Sequence, residues 1–182
     1  TGKLPHMVQL TGDDRKAWTA DAGSGTVTLI DIPNRKQVGQ LEVGRVPLGF
    51  ALTTDEKRLL VATSSNNMVV LLDAVANKVR RSLGVPGQAT RMLPAKDGRR
   101  VYATLAGSGE VAVLDPQMFL EIRRGPAGSA AEGLALEPAG DYLYVSAPAE
   151  NKVLKLHLPD LKQEQEIETR AKPGSMYVLR GR

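Results

Sequence analysis

Short apolar runs separated by small polar turns fill the whole chain, and the pattern recurs at a fixed interval. Residues 59–73 read Leu-Leu-Val-Ala-Thr-Ser-Ser-Asn-Asn-Met-Val-Val-Leu-Leu-Asp, two apolar runs hinged on Ser64-Ser65-Asn66-Asn67. Moving back 42 positions gives Ala17-Trp18-Thr19-Ala20, a Ser/Gly turn, then Val27-Thr28-Leu29-Ile30-Asp31. Moving forward 42 gives Val101-Tyr102-Ala103-Thr104, a Gly/Ser turn, then Val111-Ala112-Val113-Leu114-Asp115. A further 42 gives Leu143-Tyr144-Val145-Ser146 and, after a turn, Val153-Leu154-Lys155-Leu156-His157. A period of this length built from short strands marks a radial β array.

Each repeat predicts four strands. The first follows a Pro or Gly and carries the column Val8, Phe50, Met92, Leu134 and Met176. A polar hairpin comes next, as in Gly12-Asp13-Asp14-Arg15 and Lys96-Asp97-Gly98-Arg99, with residues that tolerate the positive φ of a tight turn. The second strand holds Trp18, Leu60, Tyr102 and Tyr144 in one column. The third, as at Met68–Leu72, is continuously apolar, which predicts cover on both faces. The fourth is charged, as in Lys78–Leu83 and Lys162–Ile167, the usual defence of an outer edge. These features predict an all-β chain of four-stranded antiparallel blades, a β-propeller. The repeat places blade one at 2–43, blade two at 44–85, blade three at 86–127, blade four at 128–169 and the start of another at 170–182.

Blade one has its own innermost strand, Met7–Leu10, and a further innermost strand is predicted at Ser175–Leu179. A closed four-blade ring is therefore disfavoured. The expectation is four complete blades plus one strand, part of a propeller of about six to eight blades truncated at its N-terminus. Leaving one face of a third strand uncovered forfeits roughly 1.5–3 kcal/mol per side chain. Missing blades or a second chain are expected to cover the ends, and the chain alone is expected to self-associate.

The segments Trp18–Asp31, Leu60–Asp73 and Tyr102–Asp115, with the upstream stretch Gly44–Asp55, resemble the tandem propeller repeats named for their Tyr-Val-Thr-Asn motif. The resemblance covers nearly the whole chain. Where that motif ends in Asn, this chain has Asp21, Thr63, Leu105 and Ala147. Similar propellers include lactonase-like enzymes and the haem-binding propellers of cytochrome-type nitrite reductases. The resemblance also implies export to the periplasm or cell surface.

Composition narrows the chemistry. No Cys is present, which excludes disulfides and thiolate metal sites. No apolar run approaches the roughly 18 residues of a membrane span. The net charge is +4, and Arg80-Arg81, Arg99-Arg100 and Arg123-Arg124 form basic pairs. These pairs fall on different blades without interleaved aromatics, so nucleic acid is not an expected partner. A steep salt dependence of DNA affinity would be its mark.

Propellers place ligands at the channel mouth, where the loop entering the innermost strand meets the turn between strands two and three. The candidates there are His6, Asp21, Asn67 and Glu132, each able to bind a ligand, and His6, Asp21 and Glu132 to move a proton. None has a diagnostic local spacing, and no metal or cofactor is evident from the residues. His157 stands where earlier repeats have a turn-bonding Asp, and Lys155 interrupts a column of Leu29, Leu71 and Val113. The leading expectation is a non-catalytic scaffold that recognises a protein or small ligand through channel-mouth loops. The alternative is an enzyme or cofactor-binding propeller, lactonase-like or haem- or quinone-linked, in which His6 would be the residue to watch.

Overall fold

The computed structural model describes residues 1–178. Among these residues sixteen strands form four antiparallel four-stranded sheets, each made of consecutive strands. Blade one comprises β1 (Pro5–Leu10), β2 (Lys16–Asp21), β3 (Thr26–Asp31) and β4 (Lys36–Glu42). Blade two comprises β5 (Pro47–Leu52), β6 (Arg58–Thr63), β7 (Met68–Asp73) and β8 (Lys78–Gly84). Blade three comprises β9 (Ala89–Pro94), β10 (Val101–Leu105), β11 (Glu110–Asp115) and β12 (Leu120–Pro126). Blade four comprises β13 (Leu134–Leu136), β14 (Tyr142–Ala147), β15 (Lys152–His157) and β16 (Lys162–Glu168).

The turns follow from their side chains. In the first hairpin Thr11 donates to Asp13 (2.6 Å), which accepts the Arg15 N–H; Thr53, Asp55 and Lys57 repeat the arrangement. Within this first hairpin of each blade, positive φ falls on Asp14, Glu56, Gly98 and Gly140. Between third and fourth strands, Asp31, Asp73 and Asp115 accept backbone N–H groups as expected. The N–H of Ala76 and the Arg80 guanidinium hold the Asp73 carboxyl down to about 2. His157 replaces this device with a contact from Nδ1 to Asp160 (3.1 Å).

The blades pack face to face through three apolar cores. One joins Trp18, Val27 and Leu29 of blade one to Phe50, Leu59 and Leu72 of blade two. The second joins Leu60, Val69 and Leu71 to Met92, Val101 and Leu114. The third joins Tyr102, Val111 and Val113 to Leu134, Leu143 and Leu156. The middle third strand, β7, is buried on both faces from Val69 to Leu72, as its continuous apolarity requires. Hydroxyls fix the stagger between neighbours: Thr104 donates to the Glu132 carbonyl (3.0 Å), and Ser146 to the Gly174 carbonyl (2.9 Å). At the rim, Arg81 donates to the Met118 carbonyl (3.0 Å) and Arg123 to the Pro159 carbonyl (3.3 Å). The basic rim residues thus link blades as well as facing water. Every third strand meets its fourth with a register shift, at Leu29/Ile30, Leu71/Leu72, Val113/Leu114 and Lys155/Leu156.

The end blades differ. Val8 is 57% exposed where its counterpart Phe50 is 1% exposed, because no other blade among the described residues packs on that face of blade one. Lys155, on the uncovered face of blade four, lies with Nζ 3.6 Å from the Tyr142 ring centroid. A cation–π contact accommodates this charge. The strand predicted at Ser175–Leu179 is not formed among the described residues, 175–178, and Leu179 lies outside them. An innermost strand draws its ladder from the second strand of its own blade, and the described residues hold no such partner for 175–178. Gly174 nevertheless meets Ser146 as Glu132 meets Thr104, so the tail begins where another blade would.

Candidate functional site

Innermost strands converge around a groove of about 440 Å³ lined by His6, Met7, Val8, Arg91, Met92, Leu93, Gly133, Leu134, Ser175 and Met176. Three blades and the tail supply these residues, so the site exists only because the repeats stack. Position 91 belongs to the column Met7, Gly49, Arg91, Gly133 and Ser175, spaced by 42. Alternation along a strand turns this column and its neighbour to opposite faces; the neighbour supplies the core residues Phe50 and Met92, and Met92 also reaches the groove. Arg91 is the only charged member of that column.

The Arg91 guanidinium is reached by Glu132 (Oε1 3.7 Å), Ser175 (Oγ 3.3 Å) and Met7 (Sδ 3.9 Å). Its side chain is 20% exposed, against 42% for Glu132. This is a largely sheltered cation with a loosely held, more solvated partner. Arg91 was not among the sequence candidates, although a lone charge in an otherwise small or apolar repeat column was the signal that marks it.

Two of the four sequence candidates meet at this groove. His6 lines it, with Nδ1 3.1 Å from the Leu48 carbonyl. Glu132 flanks it through Arg91. Asn67 sits apart, in left-handed conformation at the end of the turn 64–66. Its Oδ1 accepts the N–H groups of Gly87 (3.3 Å) and Gln88 (2.9 Å), tying blade two to the loop that leads into blade three.

Asp21 is fully buried inside blade one. Its Oδ1 accepts from Thr19 (2.8 Å), and its Oδ2 accepts from Thr26 (3.1 Å) and Thr28 (2.6 Å). Gln40 in turn donates to Thr26 (3.3 Å) and Thr28 (3.2 Å). Buried carboxylates persist where hydrogen bonds replace their water, and three hydroxyls do so here. Asp21→Ala removes the shared acceptor and is expected to cost about 2–3 kcal/mol. Asp21→Asn, which keeps one acceptor, should cost less; comparing their denaturant midpoints checks both the loss and the order.

Among the described residues, no three His, Asp or Glu side chains come together to hold a metal ion. No protein-family model and no curated protein matches the chain. Solved structures do. Hydrazine synthase of Kuenenia stuttgartiensis superposes with TM-score 0.83 at 17% identity, over 89% of this chain and 48% of that one. The structure of dihydro-heme d1 dehydrogenase NirN in complex with DHE superposes with TM-score 0.79 at 19% identity, over 91% and 37%. The β-propeller domain of Cps50 (Swd1) from Myceliophteria thermophila does so with TM-score 0.79 at 12% identity, over 94% and 57%. The chain thus spans between about a third and three-fifths of these proteins, and what it is similar to is their propeller fold.

Proposed function

We propose that this chain is a binding propeller whose ligand site is the groove between its innermost strands. The observation that carries the reading is convergence: three blades and the tail bring Met7, Arg91, Leu134 and Met176 to one concavity of about 440 Å³. A mostly apolar hollow with few polar groups is the common form of a small-molecule site. Rigid blades hold its walls, so little ordering is needed on binding. The Tyr-Val-Thr-Asn repeat resemblance agrees with a scaffold of this kind without specifying its ligand.

The five methionines provide the test. Met7, Met92 and Met176 line the groove, whereas Met68 lies on the third strand of blade two and Met118 on an outer turn. Screening small fragments against methyl-labelled protein is expected to move the first three methyl signals and leave the other two. Fragments that perturb Met118 and spare the groove methyls would place recognition at the rim and refute this reading.

A second reading, a cofactor-binding propeller, has one observation in its favour. With Nδ1 of His6 bonded to the Leu48 carbonyl, the imidazole is oriented and Nε2 carries the lone pair, as in a ligating histidine. His6 is the residue that would hold such a cofactor, by donating the Nε2 lone pair. Titration with ferric haem, followed by absorption, separates the readings: a spectral change that His6→Ala abolishes supports the second.

A further inference from the structure

We propose that the groove selects organic monocarboxylates with an apolar body, held at the charged end by Arg91. The inference rests on the groove being the binding site and adds the class of ligand. A guanidinium carries five N–H donors in a planar fork. Among the described residues, those of Arg91 meet only the Ser175 hydroxyl and the Met7 thioether within hydrogen-bond reach, the latter a weak acceptor. Glu132 neutralises the charge at 3.7 Å without forming a hydrogen bond, and much of its side chain is in water. Donors are left over, on a side chain that is itself four-fifths sheltered. A carboxylate binding both prongs of the fork would satisfy them, and Glu132 can move aside into solvent at little cost.

The remaining lining sets the rest of the ligand. Val8, Met92, Leu93, Leu134 and Met176 are apolar, and the methionines adapt to irregular shapes. Among the described residues no Lys lines the groove, and the one Arg that does already has an acidic neighbour. One negative charge is therefore welcome and two are not, which favours a monocarboxylate over a phosphate dianion.

The experiment titrates the full chain with octanoate, octanol and inorganic phosphate, reading the methionine methyl signals together with calorimetry. Octanoate is expected to shift Met7, Met92 and Met176 and to bind at least about tenfold more tightly than octanol, the factor expected for a charge-assisted pair. Arg91→Met should erase that difference, and Arg91→Lys, which keeps the charge but not the fork, should retain part of it. Glu132→Gln should tighten octanoate binding by removing the competitor, a gain that a merely structural role for the pair would not produce. Equal affinity for octanoate and octanol, or no response to Arg91→Met, overturns the carboxylate proposal while leaving the groove. Phosphate binding without octanoate binding overturns the apolar class. Silence of the groove methyls to octanoate, with fragments still moving them, removes the carboxylate alone; silence to both removes the groove as well.

Discussion

Trp18→Ala is expected to lower the unfolding free energy by about 3–5 kcal/mol, the range for removing a large aromatic side chain from a packed core. Trp18 is 2% exposed and sits in the core joined to Phe50, Leu59 and Leu72. Blade one reaches the rest of the chain mainly through this core, so the damage should begin there and spread only as far as nearest-neighbour coupling carries it. Hydrogen exchange should show β2 and β3 losing protection before β10 and β11. The same repeat column supplies its own controls. Tyr102→Ala, at the equally buried place between blades three and four, should be comparably harmful. Tyr144→Ala, on the uncovered face of blade four where the side chain is only half-buried, should cost less than about 1 kcal/mol. Equal losses at Trp18 and Tyr144, read from urea midpoints by circular dichroism, would contradict the proposed packing order.

Gly49→Val is expected to be as severe, for an opposite reason. A Cβ at position 49 would lie 2.4 Å from the Thr90 carbonyl oxygen and 3.0 Å from the Arg91 Cα. Both are backbone atoms of β9, so no rotamer change relieves the clash; blade three must shift bodily. Overpacking of side chains alone costs up to about 3 kcal/mol, and a clash with main chain should reach at least that. Because Arg91 moves with β9, groove binding should fall together with stability. Gly84→Ala, where nothing lies within 4 Å of the added Cβ, should be nearly neutral in a thermal melt.

The blades were legible because each one repeats a full set of local signals. Turn carboxylates such as Asp73, apolar third strands such as Val69–Leu72 and charged outer strands all stand at intervals of 42, so each copy corroborates the others. The site was less legible, since a side chain's fate there depends on departures from the repeat. Asp21 read as a turn residue at the channel mouth, and its burial comes from Thr19, Thr26, Thr28 and Gln40 on β2, β3 and β4. No single segment shows that cluster. Arg91 and Glu132 are 41 positions apart and belong to different blades, so only the stagger of neighbours brings them together. Lys155 found the face of Tyr142 rather than an acid, a diagonal pairing across β14 and β15 that the strand register contains but the linear pattern hides. The tail at 175–178 carries the residues of a strand, but the described residues hold no partner to make it one.

The register shift between third and fourth strands has an effect on what can meet this molecule from the side. At each blade it puts one extra residue on the perimeter, twisting the last strand out of the plane of its sheet. An incoming peptide that tries to lengthen a sheet thus finds donors and acceptors aimed off-axis amid a fence of Arg, Lys and Glu. Main-chain annealing, the route by which naked edges polymerise, is blunted at all four blades, and any visitor to the circumference must be recognised by its side chains.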